Sequence, residues 1–192
     1  MLRSLASMTL RLVGWHSVFE MPPGPKSVIV VYPHTSNWDF VLGVLCRVKH
    51  GVFLHWAGKD TLFRWPLRGF FLRLGGVPIN RRERTGMIAQ LAEALRREPT
   101  FHIAITPEGT RSKTDHWKSG FYRLALAADA PLGLGFIDYG TKRVGVERWI
   151  KLIGNEEADL ALLRAYYADK KGLYPEKSGD IRFLPRPAEK SA

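Results

Sequence analysis

The stretch YPHTSNWDF, residues 32–40, places a histidine, two hydroxyls, an amide and a carboxylate at the end of an apolar run. An imidazole titrates near neutrality, so His34 is suited to taking a proton from a hydroxyl. A carboxylate beside it would fix the tautomer and stabilise the imidazolium. Asp39 is the nearest acid in the sequence. On one continuous helix that spacing would leave the two side chains about 140° apart around the axis. They can cooperate only if His34 stands on the turn that feeds the helix and Asp39 in the first helical turn. The same residues allow a second role. Ser36-x-x-Asp39 has the spacing of a capping box, and an acid there favours the helix N-terminus whatever the histidine does.

Two further polar clusters follow apolar runs: NRRER at 80–84 after GGVPI, and PEGTRSK at 107–113 after FHIAIT. In open α/β sheets ligands lie beyond the carboxyl ends of the strands, so three such loops can converge on one crevice. The bland alternatives are a solvated basic loop for Arg81, Arg82 and Arg84, and a surface ion pair between Glu108 and Arg111 that contributes little. Other chemistries fail on their motifs. There is no G-x-S-x-G elbow, and Cys46 sits within an apolar helical run as core filler, so neither offers a nucleophile for covalent catalysis. GTRSKT lacks the second glycine of a phosphate loop, Gly133-x-Gly135 lacks the third of a dinucleotide fingerprint, and no HExxH offers a zinc site.

The elements that must position these loops are legible in the hydrophobic pattern. MPPGPK (21–26) is a stiff turn between an N-terminal helix candidate and the first strand. SVIVVY (27–32) is a continuous β-branched run, as in a strand buried on both faces. A helix capped by Ser36 is expected through WDFVLGVLCRVK, then a strand over 51–57, a helical segment TLFRWPLRGFFLRL with an early Pro66, and a short strand GGVPIN. Met87, Ile88, Leu91 and Leu95 give a helix that stops before Pro99. FHIAIT is a strand and SGFYRLALAADA a helix; LGLGFIDY and RVGVERWI form a hairpin across Gly140, and 155–169 a last helix. Strands alternating with helices predict a single α/β domain, its mixed but mostly parallel sheet flanked by helices.

The chain has 192 residues, 45% of them hydrophobic and 24% charged, which suits one folded domain and excludes a disordered chain. A net charge of +11 points to anionic partners: phosphorylated substrates, an acidic carrier protein, a lipid surface or nucleic acid. Cys46 is the only cysteine, so an internal disulfide is excluded and a reducing compartment fits. No uncharged run reaches the ~18 residues of a membrane span. The first twenty residues are basic and amphipathic but lack a convincing cleavage site, so they do not read as a signal peptide.

The three loops together resemble a known family. HTSNWD is similar to the His-x4-Asp motif of the glycerolipid acyltransferases, which include glycerol-3-phosphate and 1-acylglycerol-3-phosphate acyltransferases. LFRWPLRGFFLRLGGVPINR resembles the second block of that family through Pro66, Gly69, Gly75, Ile79 and Arg81. TPEGTRS resembles the third, the most specific signal, and Lys118 and Gly120 of WKSGF its continuation. Thr106 stands where the family usually has Phe, Pro78 where an apolar or aromatic residue is common, and APLGLGF keeps one proline of a fourth block that normally has two.

The resemblance implies transfer of a fatty acyl group from a thioester to the free hydroxyl of 1-acylglycerol-3-phosphate, giving phosphatidic acid. His34 and Asp39 would form the catalytic pair. Arg81 and Arg111 would hold the phosphate, Glu108 would position the glycerol, and Gly109 would let backbone N–H groups approach, with Thr110 beside them. Asn37 and Lys118 are further site candidates. The donor would be acyl-CoA or an acyl carrier protein; a thioester is already activated, and no cofactor or metal is expected. The altered blocks keep transfer to another lipid or amino-alcohol acceptor as an alternative. A non-catalytic basic protein binding anionic lipid or nucleic acid explains the charge but not the loops, and no nucleic-acid partner is expected. Residues 1–26 are expected as an amphipathic helix and Pro-rich turn with membrane contact, and 27–192 as the acyltransferase domain. The N-terminal segment and LFRWPLRGFFLRL both combine Arg with Trp, Phe or Leu as interfacial helices do, the former being the better anchor. The second segment's apolar face could equally be core. The expected place is cytoplasmic, peripheral to the inner face of the cell membrane.

Overall fold

The computed structural model describes residues 1–79 and 84–185. In chain order the elements are α1 (Leu2–Leu12), β1 (His16–Phe19), β2 (Lys26–Tyr32), α2 (Trp38–His50), β3 (His55–Lys59), α3 (Arg68–Arg73), β4 (Gly76–Ile79), α4 (Arg84–Arg97), β5 (Phe101–Ile105), α5 (Gly120–Ala127), β6 (Leu132–Asp138), β7 (Arg143–Ile150) and α6 (Glu156–Tyr167). The strands form one seven-stranded sheet in the order β1-β7-β6-β2-β5-β3-β4. All neighbours are parallel except β6 and β7, the hairpin expected across Gly140. The single α/β domain with a mostly parallel sheet is therefore as the pattern implied.

Strand alternation sorts the core into two layers. Val28 and Val30, Ile103 and Ile105, and Leu132 and Leu134 face α4, α5 and α6, meeting Leu91, Phe121, Leu124 and Leu163. On the opposite face Ile137 and Val144 meet Leu10 of α1 and Leu42 and Cys46 of α2. That second layer is thinner, and it contains the cavity described below.

Three elements differ from expectation. The strand expected over 51–57 begins only at His55, because Gly51 closes α2 in the left-handed region (φ 68°) and Val52 N–H returns to the Arg47 carbonyl. The segment around Pro66 is not one helix: a 3-10 turn at Asp60–Leu62 is followed by the short α3. Proline lacks the N–H that a helix interior needs and disfavours helical geometry at the residue before it. The N-terminal helix ends at Leu12 rather than running to Glu20. Gly14 (φ 73°) turns the chain, Trp15 N–H bonds to Leu10 O, and Ser17 to Phe19 pair with β7 as an edge strand.

Beyond α6 the chain crosses the carboxyl ends of the central strands as a strap. Tyr139 N–H donates to Lys171 O, Tyr174 N–H to Thr35 Oγ1, and Trp117 N–H to Arg182 O. No helix among the described residues is long and apolar enough to cross a membrane.

Candidate active site

β2 ends at Tyr32, and His34 stands on the turn before α2, its side chain 14% exposed and its Nδ1 3.1 Å from Asp39 Oδ2. The approach falls short of hydrogen-bond geometry, and it is an ion pair only when the ring is protonated. Asp39 is buried in the first turn of α2. Its Oδ2 accepts the N–H groups of Thr35 (2.8 Å) and Ser36 (2.9 Å), and its Oδ1 accepts the Tyr139 hydroxyl at 2.8 Å. Ser36 Oγ in turn accepts Trp38 N–H at 3.2 Å. The N-cap of α2 is Asn37 rather than the expected Ser36, and only one arm of the capping box forms, Ser36 N–H to Asp39 Oδ2; with Thr35 N–H it anchors that oxygen beside the imidazole.

Glu108, which the family resemblance would put on the glycerol, is buried and does not line the cavity. Its Oε2 accepts His34 N–H and its Oε1 accepts Gly179 N–H, both at 2.8 Å. Nor does it pair with Arg111. Burial raises its pKa to about 7, against the lowering effect of the two N–H donors and with a smaller push from the Asp39 carboxylate. The carboxylate ties the histidine turn to the C-terminal strap.

Gly109 adopts φ 63°, and a Cβ there would come within 2.7 Å of Lys118 Nζ, so the loop needs glycine for its own conformation and for the lysine lying over it. Its N–H donates to Thr106 O at 3.2 Å. Thr110 Oγ1 accepts Ser112 N–H, and Thr110 and Arg111, both exposed, line the cavity with His34 and Asp39. Arg111 makes no ion pair among the described residues. Asn37 and Lys118 are exposed and lie off the cavity wall. Arg81 falls outside the described residues.

The cavity itself, about 360 Å³, runs from this pair between the sheet and α2. Its floor is Ile29, Val31, Ala104, Gly135 and Val146, its roof Phe40, Gly43, Val44 and Cys46. Small residues make the space: Gly135 has no room for a Cβ, which would meet Ile29 Cγ2 at 2.9 Å, while a Cβ on Gly43 would meet nothing within 4 Å. Cys46 contributes packing only; burial pushes its thiol up to about 12, so it stays protonated.

Sequence reasoning missed Tyr139, Lys59 and the strap. Lys59 ends β3 and lines the cavity, and Tyr139 follows the last residue of β6. The rule that led to the three loops, polar residues beyond the carboxyl end of a parallel strand, reaches both. The strap carries no such signal, because the groups that tie it to the site, Lys171 O and the N–H groups of Tyr174 and Gly179, belong to the backbone.

The sequence profile described as Acyltransferase matches residues 19–133. No curated protein sequence matches the chain. Among solved structures, it resembles the 1-acyl-sn-glycerophosphate acyltransferase PlsC from Thermotoga maritima at 18% identity and a TM-score of 0.57, over 87% of this chain and 77% of that one. The structural likeness shows the fold, and the profile spans well over half of the 192 residues: the chain belongs to the acyltransferase family.

Proposed function

We infer that this acyltransferase moves a fatty acyl group from a thioester to the free hydroxyl of 1-acylglycerol-3-phosphate, giving phosphatidic acid. The observation that carries the reading is the His34–Asp39 pair on the wall of a largely apolar cavity, with Arg111, which has no ion pair among the described residues, on the same wall. The acyl chain lies in the slot between the sheet and α2, whose volume is in the range of ligand pockets. The acceptor phosphate meets Arg111, with Lys59 adding positive charge, and Arg81 is the second guanidinium proposed for it.

In the reaction the acceptor hydroxyl gives its proton to His34 Nε2 as its oxygen bonds to the thioester carbonyl carbon. The carbon–sulfur bond then breaks, and the departing thiolate takes the proton from the imidazolium and leaves as free thiol. Asp39 holds the charge that His34 gains between these steps. Glu108 supports the turn from behind and does not touch the glycerol. The donor is acyl-CoA or acyl carrier protein, and the enzyme works at the inner face of the cell membrane, where a lysophospholipid is delivered from the bilayer.

The test is thiol release from acyl-CoA with and without 1-acylglycerol-3-phosphate, and with the unphosphorylated monoacylglycerol. Release that depends on the phosphorylated acceptor is expected, falling ~10³-fold in a folded His34→Gln variant, within the range general-base catalysis supplies. Near-normal transfer by that variant would falsify the assignment of the base. Equal rates with the unphosphorylated acceptor would favour another lipid or amino-alcohol and remove the role given to Arg111.

A further inference from the structure

The Tyr139 hydroxyl lies 2.8 Å from Asp39 Oδ1, the oxygen that faces neither His34 nor the capping N–H groups. Its backbone is tied down independently, since Tyr139 N–H donates to Lys171 O at 2.8 Å. Its ring stands edge-on to Trp15, with centroids 4.9 Å apart and planes at 86°. Trp15 belongs to the segment between α1 and β1 and is itself buried. A donor held from both sides therefore meets the carboxylate oxygen that the turn leaves to it. Burial and the Asp39 charge also hold the phenol above its ordinary range, so it remains a donor at any working pH.

We propose that Tyr139 is a positioning residue of the catalytic pair: its hydroxyl locks the Asp39 carboxylate about χ2, so that Oδ2 stays turned toward His34 Nδ1. The lock is built from three parts of the chain, the end of β6, the first turn of α2 and the turn after α1. It does not need Tyr139 to touch substrate, and Tyr139 is absent from the cavity wall. The consequence for the imidazole follows from the geometry. The Thr35 and Ser36 N–H groups anchor the carboxylate at Oδ2 alone, and the hydroxyl at Oδ1 sets its tilt; without that hydroxyl the carboxylate rocks about χ2, Oδ2 is less well turned to Nδ1 and the imidazolium is held less strongly.

Y139F removes one oxygen and keeps the ring against Trp15. It is compared with wild type, D39N and the double variant, following the His34 Cε1–H resonance by NMR across pH, with H34Q supplying the assignment. The other charged or titratable groups around the pair are unchanged in each comparison: Glu108 at the His34 N–H, Tyr174 near the phenol, and Lys59, His55, Arg47 and Arg111 on the cavity wall. In Y139F the His34 midpoint is expected to fall by ~0.5 unit, since a carboxylate no longer held at both oxygens stabilises the imidazolium less well. In D39N adding Y139F should change nothing, because the coupling runs only through Asp39. Acyl transfer should lose about tenfold in kcat at unchanged KM, the value of one hydrogen bond to a charged group.

The kinetic arm rests on His34 being the base, whereas the NMR arm does not. A midpoint that falls in a protein with no acyl transfer keeps the lock and overturns the proposed reaction. A midpoint equal to or above wild type in folded Y139F, or a shift that persists in the D39N background, overturns the lock.

Discussion

At the scale of single residues, Glu108 shows how one side chain can be legible in type and not in task. The sequence marks it, since PEGTRSK follows a strand and resembles the family's third block, yet the carboxylate is spent on the N–H groups of His34 and Gly179. No pattern could reveal that, because Gly179 is remote in sequence and contributes only its backbone. The burial has a measurable consequence. An unfolded glutamate releases its proton near 4.5, whereas the folded one holds it to about 7. Between those values the native state carries a proton the unfolded state has lost. Raising the pH through that window therefore lowers stability, by on the order of 3 kcal/mol for this group, and the loss levels off above it. Glu108→Gln removes the titration, while setting an NH2 against one of the two N–H donors, so it should lower overall stability and flatten that slope, as read by urea unfolding at a series of pH values. An unchanged slope would mean that the group titrates as an exposed carboxyl does.

Among elements, β2 and α2 were readable because each obeys one period throughout: a β-branched run buried on both faces, then an amphipathic helix with an acid in its first turn. β1 was not, since Ser17 to Phe19 are too few to show alternation and gain their place only through pairing with β7. The cavity was invisible for a different reason. It depends on Gly43 of α2 lying over Ala104 and Gly135 of the sheet, a coincidence of small residues from three elements. Gly43 is the one whose Cβ would meet open space, so a larger side chain there should enter the slot without disturbing the core. Gly43→Leu is expected to leave Tm unchanged or raise it, because leucine favours a helix interior over glycine by ~0.8 kcal/mol. It should cut kcat/KM for the longest acyl donors about tenfold relative to short ones, the worth of roughly two methylenes no longer buried. Competition between long- and short-chain thioesters reads this ratio directly. Equal losses for both lengths would place the acyl chain somewhere else.

For the whole molecule, the surplus of +11 charges and the exposed aromatics must be placed together. The segment around Pro66 divides its apolar residues. Phe63 is buried and Phe71 packs against Phe40 and Trp56, while Trp65 (91% exposed), Leu67 and Phe70 (58%) face outward among Arg64, Arg68 and Arg73. The segment's apolar side chains therefore divide between core and exposed surface, and only the exposed ones are available for a membrane contact. α1 likewise buries Ala6 and Leu10 and exposes Leu2, Leu5, Met8 and Leu12. The α3 segment has the added merit of place: Phe40, which its Phe71 touches, roofs the cavity, and Leu62 and Trp56 line it. A lipid handed over there would reach His34 without crossing open water. Deleting the first twenty residues cannot test this, because it removes β1 and Trp15 with the helix. Serine at Trp65, Leu67 and Phe70 together leaves the core intact. It is expected to weaken binding to anionic vesicles by about 10²-fold, taking ~1 kcal/mol per partly inserted side chain. Added salt should weaken the wild type as well, each juxtamembrane arginine being worth roughly 1 kcal/mol near such a surface. Sedimentation with vesicles that the triple serine variant leaves undiminished would remove α3 from the interface and leave the α1 stripe as the contact to test next.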